Sequence, residues 1–242
     1  MPPPGGPRSR ITRLALVVVA VLAAGGCAPE PATDEATAVK GLYEIFGVIA
    51  GGVFVLVVGL LAWVTLRYRA RQGDEELPKQ TRGNVKLEIV WFAIPQVIVV
   101  VLFVLSMIAQ NEVTAQVEDP DVTIETTAFQ WGWRFDYAEL GIRVVGTAQD
   151  PPELVVPVER DLRFVLLASD VDHNFYVPRF LIKRDVIPGK VNQLEFSIDE
   201  PGTYDGLCAE FCGLLHDRMT FTVRAVSPES FEEWVEQEQG DA

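Results

Sequence analysis

Two thiols, an imidazole and a thioether fall within twelve residues of this 242-residue chain: Cys208, Cys212, His216 and Met219. All four are ligands for a soft or borderline transition metal. The chain has only two histidines and three cysteines. The other histidine is His173, in Asp172-His173-Asn174-Phe175, and the third cysteine, Cys27, stands far upstream. Two His, one Cys and a trailing Met make a mononuclear electron-transfer copper site with a weak axial thioether. A single copper has no use for the additional thiolate of Cys208. Two ions do: each thiolate can bridge both, each His can terminate one, Met219 can weakly complete one sphere, and the Glu210 carbonyl the other. One electron shared across two ions changes each metal–ligand bond little, so its transfer needs little reorganisation. The same side chains admit two plainer readings. One is a Cys208–Cys212 disulfide in an oxidising compartment. The other is a Cys₂His₂ zinc site, which leaves Met219 without a task and departs from the usual zinc spacing.

The elements that must position these residues follow from charge and hydropathy. From Val113 onward there are 25 Asp or Glu against 10 Lys or Arg, so nearly all the negative charge lies in the C-terminal part. That asymmetry argues against nucleic acid and for a basic protein partner. Residues 1–26 carry Arg8, Arg10 and Arg13, an apolar run from Leu14 to Ala24, and then Gly25-Gly26-Cys27. This reads as a signal segment with Cys27 as a lipid acceptor, although Ala24 stands where Leu is more usual. Residues 27–40 read as a polar linker. Ile45 to Leu66 and Ile89 to Gln110 contain no charged residue and are long enough to cross a bilayer. They predict a membrane hairpin over 41–112, with helices at about 43–67 and 87–110. Arg67, Arg69, Arg71, Lys79, Arg82 and Lys86 lie between the spans, which places that loop in the cytoplasm and the C-terminal part outside.

Residues 113–226 read as short strands. Leu162, Phe164 and Leu166, then Leu194, Phe196 and Ile198, then Met219, Phe221 and Val223 occupy alternate positions. Pro151-Pro152, Pro188-Gly189 and Pro201-Gly202 punctuate them. Period-two patterning of this kind predicts an antiparallel sandwich or barrel. Residues 227–242 read as a terminal helix and tail, opened by Ser227-Pro228 and anchored by Phe231 and Trp234. In Gln130-Trp131-Gly132-Trp133, alternation puts both tryptophans on one face and does not say which is exposed.

Several separate motifs resemble subunit 2 of the cytochrome c oxidases, from about Leu42 to Val226. They are Glu88-Ile89-Val90-Trp91, Gln130-Trp131-Gly132-Trp133, Asp170-Val171-Asp172-His173, Ile187-Pro188-Gly189-Lys190 and the Cys208–Met219 loop. The resemblance implies a two-helix transmembrane hairpin followed by an all-β cupredoxin-like Greek-key sandwich. It implies a dinuclear copper centre on His173, Cys208, Glu210, Cys212, His216 and Met219. It implies electron entry from cytochrome c at Trp131, a proton-pathway entrance at Glu88, and magnesium or manganese shared with subunit 1 through Glu210. Gly132 departs from the family, in which an aromatic residue is common there. The implied partners are the haem–copper subunit 1, subunit 3, cytochrome c and the lipid bilayer. The implied place is the cell membrane, with the copper domain on its extracytoplasmic face. Asp136 and Asp170, beside the Trp131 and His173 motifs, are expected to help dock the basic donor.

Other classes fit less well. A nitrous oxide reductase shares the copper loop but needs a propeller domain and more histidines. A quinol oxidase subunit keeps the fold without the copper ligands, and a copper-delivery protein needs no haem-bearing partner. No Cys-x-x-Cys-His motif for covalent haem is present. The donor is therefore expected to be a separate protein.

Overall fold

The computed structural model describes residues 29–69 and 79–240. Residues 1–26, expected to be a signal segment, and Cys27 lie outside the described residues. Two long apolar helices come first, α1 (Asp34–Arg67) and α2 (Val85–Val113), of 34 and 29 residues. At a helical rise these span about 51 and 43 Å, more than the roughly 30 Å of a hydrocarbon core. Their side chains over the apolar windows are unburied within the chain. Pro95 lies inside α2, which continues through it.

The linker expected at 27–40 is helical from Asp34 onward. Thr33 caps the helix, its Oγ1 accepting the Ala36 N–H at 3.0 Å. Asp34 and Glu35 occupy the first turn, where negative charge meets the positive end of the helix dipole. The residues just before it are docked on the outer domain. Ala32 N–H donates to the Arg179 carbonyl at 3.1 Å, and the Ala32 carbonyl accepts from Asp199 N–H at 3.2 Å. The exit from α2 is fastened too. Val117 N–H donates to Glu195 Oε2 at 2.6 Å, and Arg163, 2.7 Å from Glu195 Oε1, donates to the Val117 carbonyl. Both ends of the membrane hairpin are therefore tied to the β domain by hydrogen bonds.

That domain is a sandwich of two five-stranded sheets. The first holds β1 (Val122–Phe129), β2 (Gly132–Tyr137), β3 (Ile142–Thr147), β5 (Leu162–Ala168) and β8 (Asn192–Phe196), in the order β3-β2-β1-β5-β8. The second holds β4 (Glu153–Pro157), β6 (His173–Val177), β7 (Ile182–Val186), β9 (Gly202–Cys208) and β10 (Thr220–Val226), in the order β4-β10-β9-β6-β7. The pairing is mixed, not wholly antiparallel as the patterning predicted. β1 runs parallel to β5, and β10 parallel to β4. Period-two burial fixes which side chains face inward but is the same for either strand direction, so the alternation carried no information on this point. A terminal helix, α3 (Pro228–Gly240), buries Phe231 and Trp234 as expected.

The core between the sheets is aromatic. Phe221 of β10 stacks on Phe175 at 4.7 Å between ring centres and meets Trp133 edge-on at 5.2 Å. Phe164 stacks on Phe175 and on Phe196 at 5.4 and 5.1 Å. Gly206 makes room for this: a Cβ there would overlap the Phe221 ring. Each such side chain contributes roughly 1.5–3 kcal/mol on burial, and together they set the spacing of the sheets.

A hydrogen-bonded link crosses the sandwich at its β4 edge. Tyr137 of β2 is buried; its hydroxyl donates to the Val155 carbonyl at 2.6 Å and accepts from Val155 N–H at 3.1 Å. β4 is an edge strand, so this one side chain satisfies polar groups that have no neighbouring strand on that side. Burial pushes the Tyr137 hydroxyl well above its ordinary pKa, and it stays neutral. Tyr137→Phe leaves both Val155 groups without partners. We expect it to cost about 1–3 kcal/mol of stability, read as a lowered midpoint in denaturant, with the metal-binding properties of the chain unchanged.

Candidate metal centre

The ligand-type residues meet at one pole of the sandwich, delivered by three pieces of backbone. β9 ends on Cys208, the loop 209–219 carries Cys212 and His216, and β10 begins directly after Met219. Cys208 N–H donates to the Met219 carbonyl at 3.0 Å and closes the loop at its base. β6, the neighbour of β9, begins on His173, and Ala209 N–H donates to the Asn174 carbonyl at 3.1 Å. The third piece comes from the opposite sheet: the tight turn between β1 and β2, whose two residues are Gln130 and Trp131.

Cys208 and Cys212 are free thiols, both buried, with Sγ atoms 3.8 Å apart. A disulfide needs about 2 Å, so the structure holds the pair unbonded. His173 Nδ1 lies 3.9 Å from Cys208 Sγ, and His216 Nδ1 lies 3.7 Å from Cys212 Sγ. Met219 Sδ is 3.7 Å from Cys212 Sγ, and the Glu210 carbonyl is 3.2 Å from Cys208 Sγ. With metal–sulfur and metal–nitrogen bonds of about 2.3 and 2.0 Å, two donors on one tetrahedral ion sit roughly 3.5–3.8 Å apart. The observed separations match that span, so the donor set fits a first-row metal. His173, Cys208 and Cys212 place their ligand atoms within 4.8 Å of one another. His216 and Met219 approach from the Cys212 side. All six sequence-predicted metal residues are thus brought together, Glu210 through its carbonyl while its side chain stays exposed.

The electrostatics favour a metal-ready pair. Burial works against the Cys208 thiolate, but hydrogen bonding with His173 and with the backbone at Glu210 and Asn174 outweighs it and brings the thiol down to about 6. Burial, reinforced by the Cys208 thiolate alongside, pushes Cys212 up. His173 is lowered by burial and raised by Cys208 and Asp170, with a net rise. Its far nitrogen, Nε2, sits 2.9 Å from Asp170 Oδ1. Burial also disfavours the Asp170 charge. Hydrogen bonds from His173, Gln130 N–H and Val171 N–H outweigh that and hold its carboxyl below the usual range.

Asp170 stays exposed while its two carboxylate oxygens are engaged by His173 and by the Gln130 and Val171 N–H groups. Asp136 is paired as well. Its carboxylate pairs with Arg134 at 2.6 Å and with Arg143, and these outweigh its burial to keep it ionised. Both acids lie next to the expected motifs, Asp170 open to solvent and Asp136 largely covered by its arginines.

The two tryptophans separate cleanly. Trp133 is fully buried, packed between Phe175 and Phe221 with its Nε1 3.5 Å from the Met219 carbonyl. Trp131 lies on the turn, outside the strand, so alternation never applied to it. It is half-buried, and its Nε1 donates to the Cys212 carbonyl at 3.2 Å. Gly132 is explained by its neighbours: a Cβ there would overlap the Gly146 carbonyl and the Phe129 ring. Phe129 occupies the space that a side chain at 132 would need. Glu88 is exposed at the start of α2, and its carboxylate accepts the N–H of the cap residue Asn84 at 3.3 Å. Two residues of the site escaped the sequence reading. Gln130 Nε2 donates to the Cys212 carbonyl at 2.7 Å, and Gly213, at φ +120°, leaves room for the Gln130 and Trp131 side chains. Their adjacency to Trp131 and Cys212 was the only available signal.

Comparison with known proteins agrees with this arrangement. Residues 142–226 match the family model described as cytochrome c oxidase subunit II, periplasmic domain, and residues 25–108 match its transmembrane domain. A Nocardia farcinica protein named "probable cytochrome c oxidase subunit 2" is 33% identical over 86% of this chain and 73% of its own length. The cytochrome c oxidase subunit 2 of Corynebacterium glutamicum is 32% identical over 86% of this chain and 74% of its own. Among solved structures, the periplasmic domain of subunit II of cytochrome oxidase from Bradyrhizobium japonicum is 32% identical. It covers 52% of this chain and 99% of its own, with a TM-score of 0.47.

The split between the two thiols has a direct optical consequence. In copper-free, full-length chain carrying Cys27→Ser, we expect the thiolate absorbance in the far ultraviolet to rise in one step near pH 6. The second thiol should ionise only at strongly alkaline pH. Cys208→Ser should remove the low step; two equal steps near the ordinary thiol value would contradict the geometry.

Proposed function

The chain belongs to the cytochrome c oxidase subunit II family, and on that premise we propose that its outer domain is a dinuclear copper electron carrier loaded by a cytochrome c. The setting is that of a membrane oxidoreductase complex: two transmembrane helices, an outer copper domain, and other oxidase subunits as partners. The observation that carries the reading is the arrangement of one imidazole beside each thiol of an unbonded pair 3.8 Å apart. His173, Cys208, Cys212, His216, Met219 and the Glu210 carbonyl would hold the copper, which would supply a one-electron carrier. The remaining work falls to the chain's own side chains. Asp170 holds His173 with its Nδ1 toward the thiols. Met219 and the Glu210 carbonyl offer weak donors on opposite sides of the pair. Burial of both cysteines and of Met219 keeps water from the sulfurs.

Trp131 is the entry point in this reading. It is the half-buried aromatic whose indole touches the backbone of a thiolate ligand, whereas Trp133 is walled in by the core. The exit leads to the haem of subunit 1, where oxygen is reduced to water with proton translocation. Glu88 lies at the cytoplasmic mouth of α2 and is assigned to the entrance of the proton path. The exposed carboxylate of Glu210 offers a hard oxygen for magnesium or manganese at the junction with subunit 1. Subunit 3 as a further partner, the cell membrane as the location, and lipidation at Cys27 complete the proposal. The acid excess of the outer domain attracts a basic donor as a whole.

The test uses the full-length chain in detergent, loaded with copper. We expect two copper ions per chain and a mixed-valence paramagnetic signal, lost in both Cys208→Ser and Cys212→Ser. Trp131→Phe should keep that signal while slowing electron entry from a basic cytochrome c by about tenfold or more, a relay lost with no ligand lost. A blue single-copper spectrum from Cys208→Ser in an otherwise active oxidase would rule the dinuclear reading out.

A further inference from the structure

We propose that Gln130 is a positioning residue that locks the copper loop, through a hydrogen-bonded chain joining the two ligand groups without passing through metal. The proposal rests on the copper reading above. The chain starts at His173, whose Nε2 lies 2.9 Å from Asp170 Oδ1. The other oxygen of Asp170 accepts the backbone N–H of Gln130 at 2.7 Å. The Gln130 side chain then donates its Nε2–H to the Cys212 carbonyl at 2.7 Å. The Trp131 indole donates to the same carbonyl at 3.2 Å, so both of its lone pairs are used. The partner is a carbonyl, so the amide must present its nitrogen there, which settles the orientation of Gln130.

Three features say that this contact is built rather than incidental. Two-residue hairpin turns ordinarily carry Asn, Asp or Gly; this one carries Gln and Trp, and both side chains converge on one oxygen. The following residue is shaped to receive them. Gly213 has φ +120°, and a Cβ on it would stand 3.0 Å from Gln130 Nε2 and 3.2 Å from Trp131 Cζ2. Finally, the turn belongs to one sheet and the Cys208–Met219 loop to the other, so the clamp crosses the sandwich at the metal pole. Fixing the Cys212 carbonyl fixes the peptide plane between Cys212 and Gly213, and with it the direction from which Cys212 Sγ meets His216 and Met219. A site that must keep one geometry in both oxidation states needs such an outer constraint, because outer hydrogen bonds orient and tune metal ligands.

The experiment compares unmodified full-length chain, Gln130→Glu and Gln130→Ala, each in detergent and loaded with copper. Gln130→Glu keeps the size of the side chain but turns an acceptor toward the carbonyl; Gln130→Ala removes the contact. We expect the reduction potential to fall in both, the copper hyperfine pattern to change, and copper to pass to a chelator about tenfold faster, the scale of one ordinary hydrogen bond. The copper-free proteins should all fold, with Gln130→Ala and Gln130→Glu melting lower by no more than one hydrogen bond is worth, since Gln130 lies on an exposed turn. Unaltered potential, hyperfine pattern and copper loss in both variants would overturn the proposal alone. Failure of the unmodified chain to give a mixed-valence signal would instead remove the copper reading, and the proposal with it.

Discussion

Two thiols held 3.8 Å apart, buried and unbonded, are the constraint on which the rest of the molecule depends. Left to themselves in an oxidising compartment, vicinal cysteines close into a disulfide. Here the first is pinned at the end of β9, where its N–H is bonded to the Met219 carbonyl. The second is pinned by two donors on its own carbonyl. The strands converge at this pole because Phe221, Phe175 and Trp133 pack behind it. The aromatic core therefore does more than stabilise a sandwich. It sets the positions from which the metal donors are aimed.

A second constraint is that the copper pole must stand at a fixed place relative to the membrane. A flexible tether at either end of the hairpin would leave the domain free to tumble. The structure uses hydrogen bonds at both: Ala32 with Arg179 and Asp199 before α1, and Val117 with Glu195 and Arg163 after α2. Arg163 and Glu195 form a part-buried ion pair whose charges also satisfy backbone groups. An isolated exposed pair contributes little; one that holds a chain crossing has a geometric task as well.

Much of this was legible in the sequence, and the limits are physical. The candidate ligands stood out because Cys, His and Met are scarce outside the cluster. The spans were readable because bilayers demand long uncharged runs. What failed was whatever depended on partners distant in sequence. Period-two burial located the inward side chains of β5, β8 and β10 but could not distinguish a parallel neighbour from an antiparallel one, and β1–β5 and β4–β10 proved parallel. The polar stretch before α1 looked like a spacer because its docking partners, Arg179 and Asp199, lie more than a hundred residues away. The Trp131 and Trp133 ambiguity arose from treating a turn residue as a strand residue. Gln130 drew no attention because a lone glutamine carries no chemistry until its acceptor is known.

The acidic residues nearest the centre teach a related lesson about charge. Asp136 and Asp170 flank the functional motifs, and proximity alone suggested that they face a basic partner. An unpaired carboxylate beside the buried thiols would cost desolvation wherever water is excluded. Both are accordingly compensated, Asp136 by Arg134 and Arg143, Asp170 by His173 and two backbone N–H groups. Other carboxylates that face solvent include Asp172, Asp217 and those of α3. Beyond about 8–10 Å such charges are screened at physiological salt. At the pole itself the exposed groups of the copper loop include Phe211 and Leu214, at 76% and 83% exposure. The pole thus combines two kinds of group: carboxylates neutralised by hydrogen bonds that hold the ligands still, and apolar side chains that rim them in solvent.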